Sequence, residues 1–490
     1  MLKPLMGVVA IIAMTLSVFR AYSQAITLDE ADTYFWFVAR SANHIWEPFP
    51  NNHVLNTLLI WVSIHLFGTS SLVLRVPALL GAAIYIAAAY CLSRSVTHRR
   101  SLQLPVFICL VYNPLILDFM AAARGYGLAN GFLLAAIAIP IWQDRTGYFS
   151  FRGSCGLASM ALGLSFCANF SFAFVNFAVF VFLLAWALRH KGSDSPIRIL
   201  GLCVLPGLLV TLLICGYPLT HWPGQKDLWW GAHSWSEMGR SLIDASLYKV
   251  NSQFAWMTPL VLPVLGSLCA LRLLAAVWER RWPALCVSGL GGTVALTLLF
   301  HGAAFRFRNL PLPISRTGIF LLPLVTLLAA GIAAWPVGSL VSRWLRTGLT
   351  ASFYLLACYF LLCLRVHYFK EYEWDADVNE VYAVLARLNH SYGVKDVDAN
   401  GTYVSPLNFC RIVSHHETFP EFKVPAIDVV PGHAVYVLQR EHHQHFIESQ
   451  HLAIIFQGSS TPVVIAVPPG SPVPPFPVAP APLDPQSHHL

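Results

Sequence analysis

The chain has 490 residues, 56% hydrophobic and 11% charged, with 31 Lys and Arg against 24 Asp and Glu and a formal net charge of +7. Soluble globular chains carry roughly 25% charged residues, so this composition, at a mean hydropathy of +0.59, excludes a soluble enzyme, a disordered chain and a fibrous repeat. The cations are spread too thinly to form a basic stripe for nucleic acid, and the expected class is an all-α polytopic membrane protein whose positive excess reports topology.

A transmembrane helix needs about 20 mostly apolar residues. Such runs fall at 4–22, 72–93, 102–118, 125–142, 155–169, 171–188, 197–216, 256–277, 283–301, 318–336 and 347–366, eleven in all. The first run shares its look with a signal peptide but is long enough to span, and it is read as an uncleaved helix. The short apolar stretch 54–67 follows Pro48 and Pro50 and reads as an interfacial helix in the first outer loop. Eleven cysteines include no C-x-x-C pair, and most sit in apolar runs as small fillers.

Lys and Arg set the orientation. With a cytoplasmic N-terminus, the inside loops 93–101, 143–154, 189–198, 279–282 and 343–347 are rich in Arg and poor in acids. An odd number of spans then puts the C-terminal region outside, in the cell inner membrane. Arg40, Arg75, Arg124, Lys226, Arg240, Lys249, Arg306, Arg308 and Arg316 break the pattern by falling at outer ends or loops. Binding an anion at the outer face would supply their reason. In the outer segment Tyr217–Phe254, Trp222, Trp229, Trp230 and Trp235 read as an aromatic belt beside an amphipathic stretch.

Three domains are expected: 1–366 in the membrane, a small outer α/β domain over 367–467, and a Pro-rich disordered tail over 468–490. In the second, Val378, Val381, Tyr382, Leu385 and Leu388 repeat at helical spacing before a Gly393 cap. Strand-like runs follow at Val435–Leu438, Leu452–Phe456 and Pro462–Val467.

Three outer motifs can carry chemistry. Thr27-Leu-Asp29-Glu30-Ala-Asp32 places three carboxylates just after the first span. Thr27 and Glu30 have capping-box spacing, which leaves Asp29 as a carboxylate able to take a proton from a hydroxyl. Asp118 and Arg124-Gly-Tyr126 flank the turn before the fourth span. There Arg124 either pairs with Asp118 or offers its fork to a phosphate. Arg306, Arg308 and Arg316 cluster near His301 and form either snorkelling cations or a phosphate cradle. His415-His416-Glu417 and His442-His443-Gln-His445 lack a fixed zinc spacing and are not read as a metal site. Asp375-Ala-Asp377 has no nucleotide fold around it and is read as chance.

In order along the chain, Asp29-Glu30-Ala, then His53, Leu66-Phe-Gly68 and Leu74-Arg75-Val-Pro77, then Ala123-Arg124-Gly-Tyr126, then Arg316 through Pro323 form a pattern. It resembles the GT-C superfamily of integral membrane glycosyltransferases, and within it the bacterial mannosyl- and aminoarabinose-transferase-like group. The resemblance runs across most of residues 1–370. Many relatives have Glu before the Arg of the Arg-x-Tyr turn, where this chain has Ala123.

The resemblance implies transfer of a sugar from a polyprenyl-phosphate or pyrophosphate donor to a glycan, lipid or protein hydroxyl at the outer face, with inversion. Asp29 would be the general base, assisted by Glu30 or Asp32. His53, Arg75, Asp118, Arg124, Tyr126, Arg306, Arg308 and Arg316 would bind substrate, the last three and Arg124 steadying the leaving phosphate. Some relatives use a divalent metal (Mg or Mn) at the first-loop acids and others none. The competing reading is a lipid-linked-sugar flippase, which would place ionisable groups near the bilayer midplane. Here the middles of the spans are nearly free of charge.

Overall fold

The computed structural model describes residues 2–471 apart from 98, 223, 225–227, 229, 248–257, 279–284, 337, 416–418 and 424–427. Lys226, Trp229, Lys249, the inside loop 279–282, His416, Glu417 and the Pro-rich tail beyond Ser471 lie outside the described residues. The helices are α1 (Leu2–Ser23), α2 (Leu28–Thr33), α3 (Val54–Phe67), α4 (Ser71–Val96), α5 (Arg100–Val111), α6 (Pro114–Phe119), α7 (Tyr126–Thr146), α8 (Phe151–Ala168) and α9 (Ala173–His190). They continue as α10 (Pro196–Thr220), α11 (Trp235–Ser246), α12 (Thr258–Trp278), α13 (Leu285–Arg308), α14 (Leu321–Ala334), α15 (Leu340–Leu362), α16 (Val378–Tyr392), α17 (Gly401–Val413) and α18 (Gln444–Ser449). Four strands follow the last span: β1 (Val397–Ala399), β2 (Val435–Gln439), β3 (Ala453–Gln457) and β4 (Val463–Val467).

Among the described residues, helix occupies each of the eleven apolar runs. Seven helices among the described residues are long and apolar enough to cross a membrane, and α3, α5, the apolar part of α12 and α14 are shorter apolar helices. The chain is a multi-pass helical membrane protein with a small C-terminal sheet. The run 102–118 is two helices. Asn113 accepts the amide hydrogens of Leu115 and Ile116, and Pro114 starts α6 at its first turn, a stop and restart written in those two residue types.

The contacts divide the chain into two compact units. The first comprises Met1–Val18, Ile45–Leu59 and Val76–Leu364. Its helices meet through small residues, as membrane helices do when no water drives them together. A Cβ on Gly81 of α4 would lie 2.5 Å from the Gly127 carbonyl carbon of α7, and one on Gly131 would lie 2.6 Å from the Gly81 oxygen. On α8 and α10, a Cβ on Gly163 would lie 2.4 Å from the Gly207 oxygen, and Ser159 accepts the Gly207 amide hydrogen at 2.9 Å.

The second unit comprises Phe19–His44, Ile60–Arg75 and Arg365–Leu490. Its sheet has strand order β1-β2-β4-β3. β1 and β2 are parallel, with Val397 opposite Val435 and the connection running through α17. β2 pairs antiparallel with β4, and β4 antiparallel with β3. All five residues of β4 are buried, which explains its unbroken Val-Val-Ile-Ala-Val run. Gly393 ends α16 at φ 68°, the cap expected from the sequence. The sequence reading has neither β1 nor α17. β1 spans three residues, one of them Asp398, and Pro406 sits inside α17, so neither carries a clean periodic signal.

Candidate active site

The first-loop acids open α2. Thr27 accepts the Glu30 amide hydrogen at 3.2 Å, and Glu30 Oε2 accepts the Thr27 amide hydrogen at 3.0 Å. The capping box is therefore present, with acids in the first turn where the helix dipole favours them.

Glu30 has a second partner. Arg75 donates from Nε to Oε1 at 2.9 Å and from Nη2 to Oε2 at 2.7 Å, and neither side chain is exposed. The remaining Arg75 hydrogens reach the carbonyls of Ala21, Gln24 and Ala25. Arg75 and Arg20 both lie about 5 Å over the Phe369 ring, at 5.1 and 5.2 Å. This buried pair has its polar atoms satisfied, the condition under which it is tolerated.

Asp29 and Asp32 are half-buried. Tyr372 donates its hydroxyl hydrogen to Asp29 Oδ2 at 3.0 Å, and the Leu28 amide donates to Asp375 Oδ2 at 2.9 Å. Burial pushes the Asp375 carboxyl up to about 8, and the carboxylates of Asp29, Glu30 and Asp32 add to the rise, while the Leu28 amide opposes it. Asp375 and Tyr372 are contributions that the sequence reading misses. The only signal was Asp375-Ala-Asp377. Its second acid is an anchor, accepting from Ser459, Ser460 and Thr461.

A second cluster forms in the first unit around the turn before α7. Arg124 is 1% exposed and donates from Nη2 to Asn51 Oδ1. Asn56 donates to the Ala123 carbonyl at 3.2 Å, and His53 packs edge-on to Tyr126 with ring centroids 5.3 Å apart. Asp118 is buried on α6. Gly125 allows the approach, since a Cβ there would lie 1.9 Å from the Ala168 oxygen and 2.9 Å from the His53 Cβ. Asn51 and Asn56 carried no sequence motif. Ala123, whose carbonyl accepts from Asn56, is fully buried.

The third group is a loop. Arg306 and Arg308 lie exposed in the last turn of α13. Asn309 ends that helix at φ 53°, and Ser315 stands at φ 42° before Arg316. Positive φ at Ser315 is a strained conformation worth about 1–3 kcal/mol. Arg316 is half-buried, with its guanidinium 4.8 Å over the Trp230 ring. The structure thus brings Asp29, Glu30 and Arg75 together, groups His53, Arg124 and Tyr126, and sets Arg316 against a belt tryptophan.

No family model matches the chain, and no curated protein does. Among solved structures, it is similar to ArnT from Cupriavidus metallidurans bound to undecaprenyl phosphate, with TM-score 0.51 and 12% identity over 95% of this chain and 97% of that one. The same protein in the apo state aligns with TM-score 0.49 and 11% identity over 95% and 97% of the two chains. The arabinosyltransferase EmbB from Mycobacterium smegmatis aligns with TM-score 0.39 and 12% identity over 84% of this chain and 42% of that one. The chain shares the fold of this ArnT structure.

Proposed function

We propose that the chain is a membrane glycosyltransferase moving a sugar from a polyprenyl-phosphate or pyrophosphate donor to a hydroxyl acceptor at the outer face of the cell inner membrane. The N-terminus is cytoplasmic in this reading. The fold of a protein bound to undecaprenyl phosphate supports the donor class. One observation carries the catalytic assignment. Arg75 takes both oxygens of Glu30, while the adjacent Asp29 stays half-buried and is oriented by Tyr372.

Asp29 acts as general base on the acceptor hydroxyl, and the acceptor oxygen displaces the lipid phosphate with inversion. Glu30 and Arg75 are positioning residues that hold the start of α2. Asp32, one turn along, assists Asp29. Arg124, Arg306, Arg308 and Arg316 stabilise the charge that builds on the leaving phosphate. Asp118, His53 and Tyr126 shape the turn that carries Arg124. Mg2+ and Mn2+ take several oxygen ligands. Glu30 gives both of its oxygens to Arg75, so of the first-loop acids only Asp29 and Asp32 would hold such an ion, which would supply charge for the leaving phosphate.

The test compares purified wild type and Asp29→Asn on a synthetic lipid-phosphate sugar in membranes that hold the acceptor. The Asn variant is expected to lose about 10²- to 10⁴-fold in kcat with donor binding retained. Full activity would remove Asp29 from the base role. Flipping of the lipid-sugar in liposomes without any transfer would make the chain a transporter instead.

A further inference from the structure

In the segment after the last span, two histidines and one carboxylate converge. β2 ends at Gln439, and a turn carries His442 and His443 back toward Asp428, which lies on the loop before the strand. One ligand atom from each of Asp428, His442 and His443 lies within 4.8 Å of the others. His443 Nε2 is 3.1 Å from Asp428 Oδ1, and His442 Nε2 is 3.7 Å from Asp428 Oδ2. We propose that these three residues form a divalent transition-metal site, with zinc as its natural class of ion.

The arrangement has the parts such a site needs. Two ligands 2.0–2.1 Å from a tetrahedral ion stand about 3.3 Å apart, near the 3.7 Å between His442 Nε2 and Asp428 Oδ2. His443 is 3% exposed, so its ring is held. Its Nδ1 lies 3.0 Å from the Gln439 carbonyl and 3.2 Å from the Gln439 amide nitrogen; in the tautomer that donates Nδ1–H to the carbonyl, the usual outer partner of a metal-bound imidazole, Nε2 is the ligand atom. Asp428 is oriented too: Oδ1 accepts from the Val429 amide at 2.9 Å and from Asn400 Nδ2 at 3.2 Å. That leaves Oδ2, on the His442 side, to face the ion. His442 is exposed, with its Nε2 3.7 Å from Oδ2.

Two imidazoles and one carboxylate suit zinc and its first-row neighbours rather than Mg2+ or Ca2+. A fourth position stays open to water. With the ring proton of His443 on Nδ1, Nε2 offers its lone pair to the ion and no covalent bond breaks. Asp428 and the histidine pair come from separate loops, so the ion would staple the loop before β2 to the turn after it. Motif spacing misses the site for the same reason, because its third ligand is not in the His-rich run.

The experiment uses the full chain in detergent without a polyhistidine tag, stripped with EDTA and then desalted from micromolar ZnCl2. Bound zinc is read by mass spectrometry and thermal stability by a melt. Wild type is expected to retain about one ion per chain and to gain several degrees in Tm. His442→Ala and Asp428→Asn alter exposed side chains and leave the fold intact, and both are expected to lose the ion and the Tm gain. His445→Ala is expected to keep both. Wild type retaining no zinc would overturn the proposal, as would wild-type retention by His442→Ala and Asp428→Asn.

Discussion

Arg75 is a guanidinium with no exposed surface, and its partner Glu30 is equally buried. Removing one member of such a pair leaves an uncompensated charge in an apolar place, at a cost of about 3–5 kcal/mol. Arg75→Met is therefore expected to lower Tm sharply, and Glu30→Gln added to it is expected to recover part of the loss in a double-mutant cycle. Asp375 behaves differently. Its carboxyl titrates at about 8 in the fold against a usual 3.8, so the folded chain holds a proton that the unfolded chain has released. Its contribution to stability is full below about pH 4 and falls as pH rises toward 8. Asp375→Asn keeps the shape without the titration. Melts at pH 5 and pH 8.5 are expected to show a smaller difference for the variant than for wild type, and an unchanged difference would remove Asp375 as the cause.

At the scale of the helix, α7 carries Gly127-Leu-Ala-Asn-Gly131 in its first two turns and α8 carries Ser159 and Gly163 four residues apart. Both are small-x-x-x-small stripes, and both lie where a neighbouring backbone comes within contact distance of the missing Cβ. The stripe on α7 also sets the turn that carries Arg124 and Tyr126. Gly127→Ala would push a methyl to 2.3 Å from the Phe119 oxygen. Backbone must shift to admit it, at about 1–3 kcal/mol. The expected result is a lower Tm with a raised KM for donor. A Gly216→Ala control, where nothing lies within 4 Å, should leave both unchanged.

At the scale of the whole molecule, the segment after Leu364 supplies Phe369, Tyr372 and Asp375, which close over the start of α2 within one compact unit. In the proposed reaction, Asp29 is oriented by Tyr372 from far along the chain, which makes that late segment part of the working protein. Tyr372→Phe removes one hydrogen bond to a charged group, about 1.5–3 kcal/mol. If it serves to orient Asp29, kcat should fall roughly 10- to 100-fold while donor KM holds. A chain truncated after Leu364 should lose transfer altogether. Unchanged kcat in Tyr372→Phe would remove Tyr372 from the orienting role.

The membrane class, the apolar runs, the capping box at Thr27 and the helix cap at Gly393 were legible because each is a local property of composition, period or spacing. The outer charges were also legible, since a scarce charge in an apolar chain stands out against its surroundings. Their partners were not. Glu30 meets Arg75 from a different helix, Asp29 meets Tyr372 and Leu28 meets Asp375 from beyond the last span, and Arg124 meets Asn51 across a loop. No one-dimensional pattern relates such residues, because the distances between them are set by packing. Sequence alone therefore identified the chemistry on offer. Only the tertiary structure decided which acid is neutralised, which is held in place, and which two loops bring Asp428 to the histidine pair.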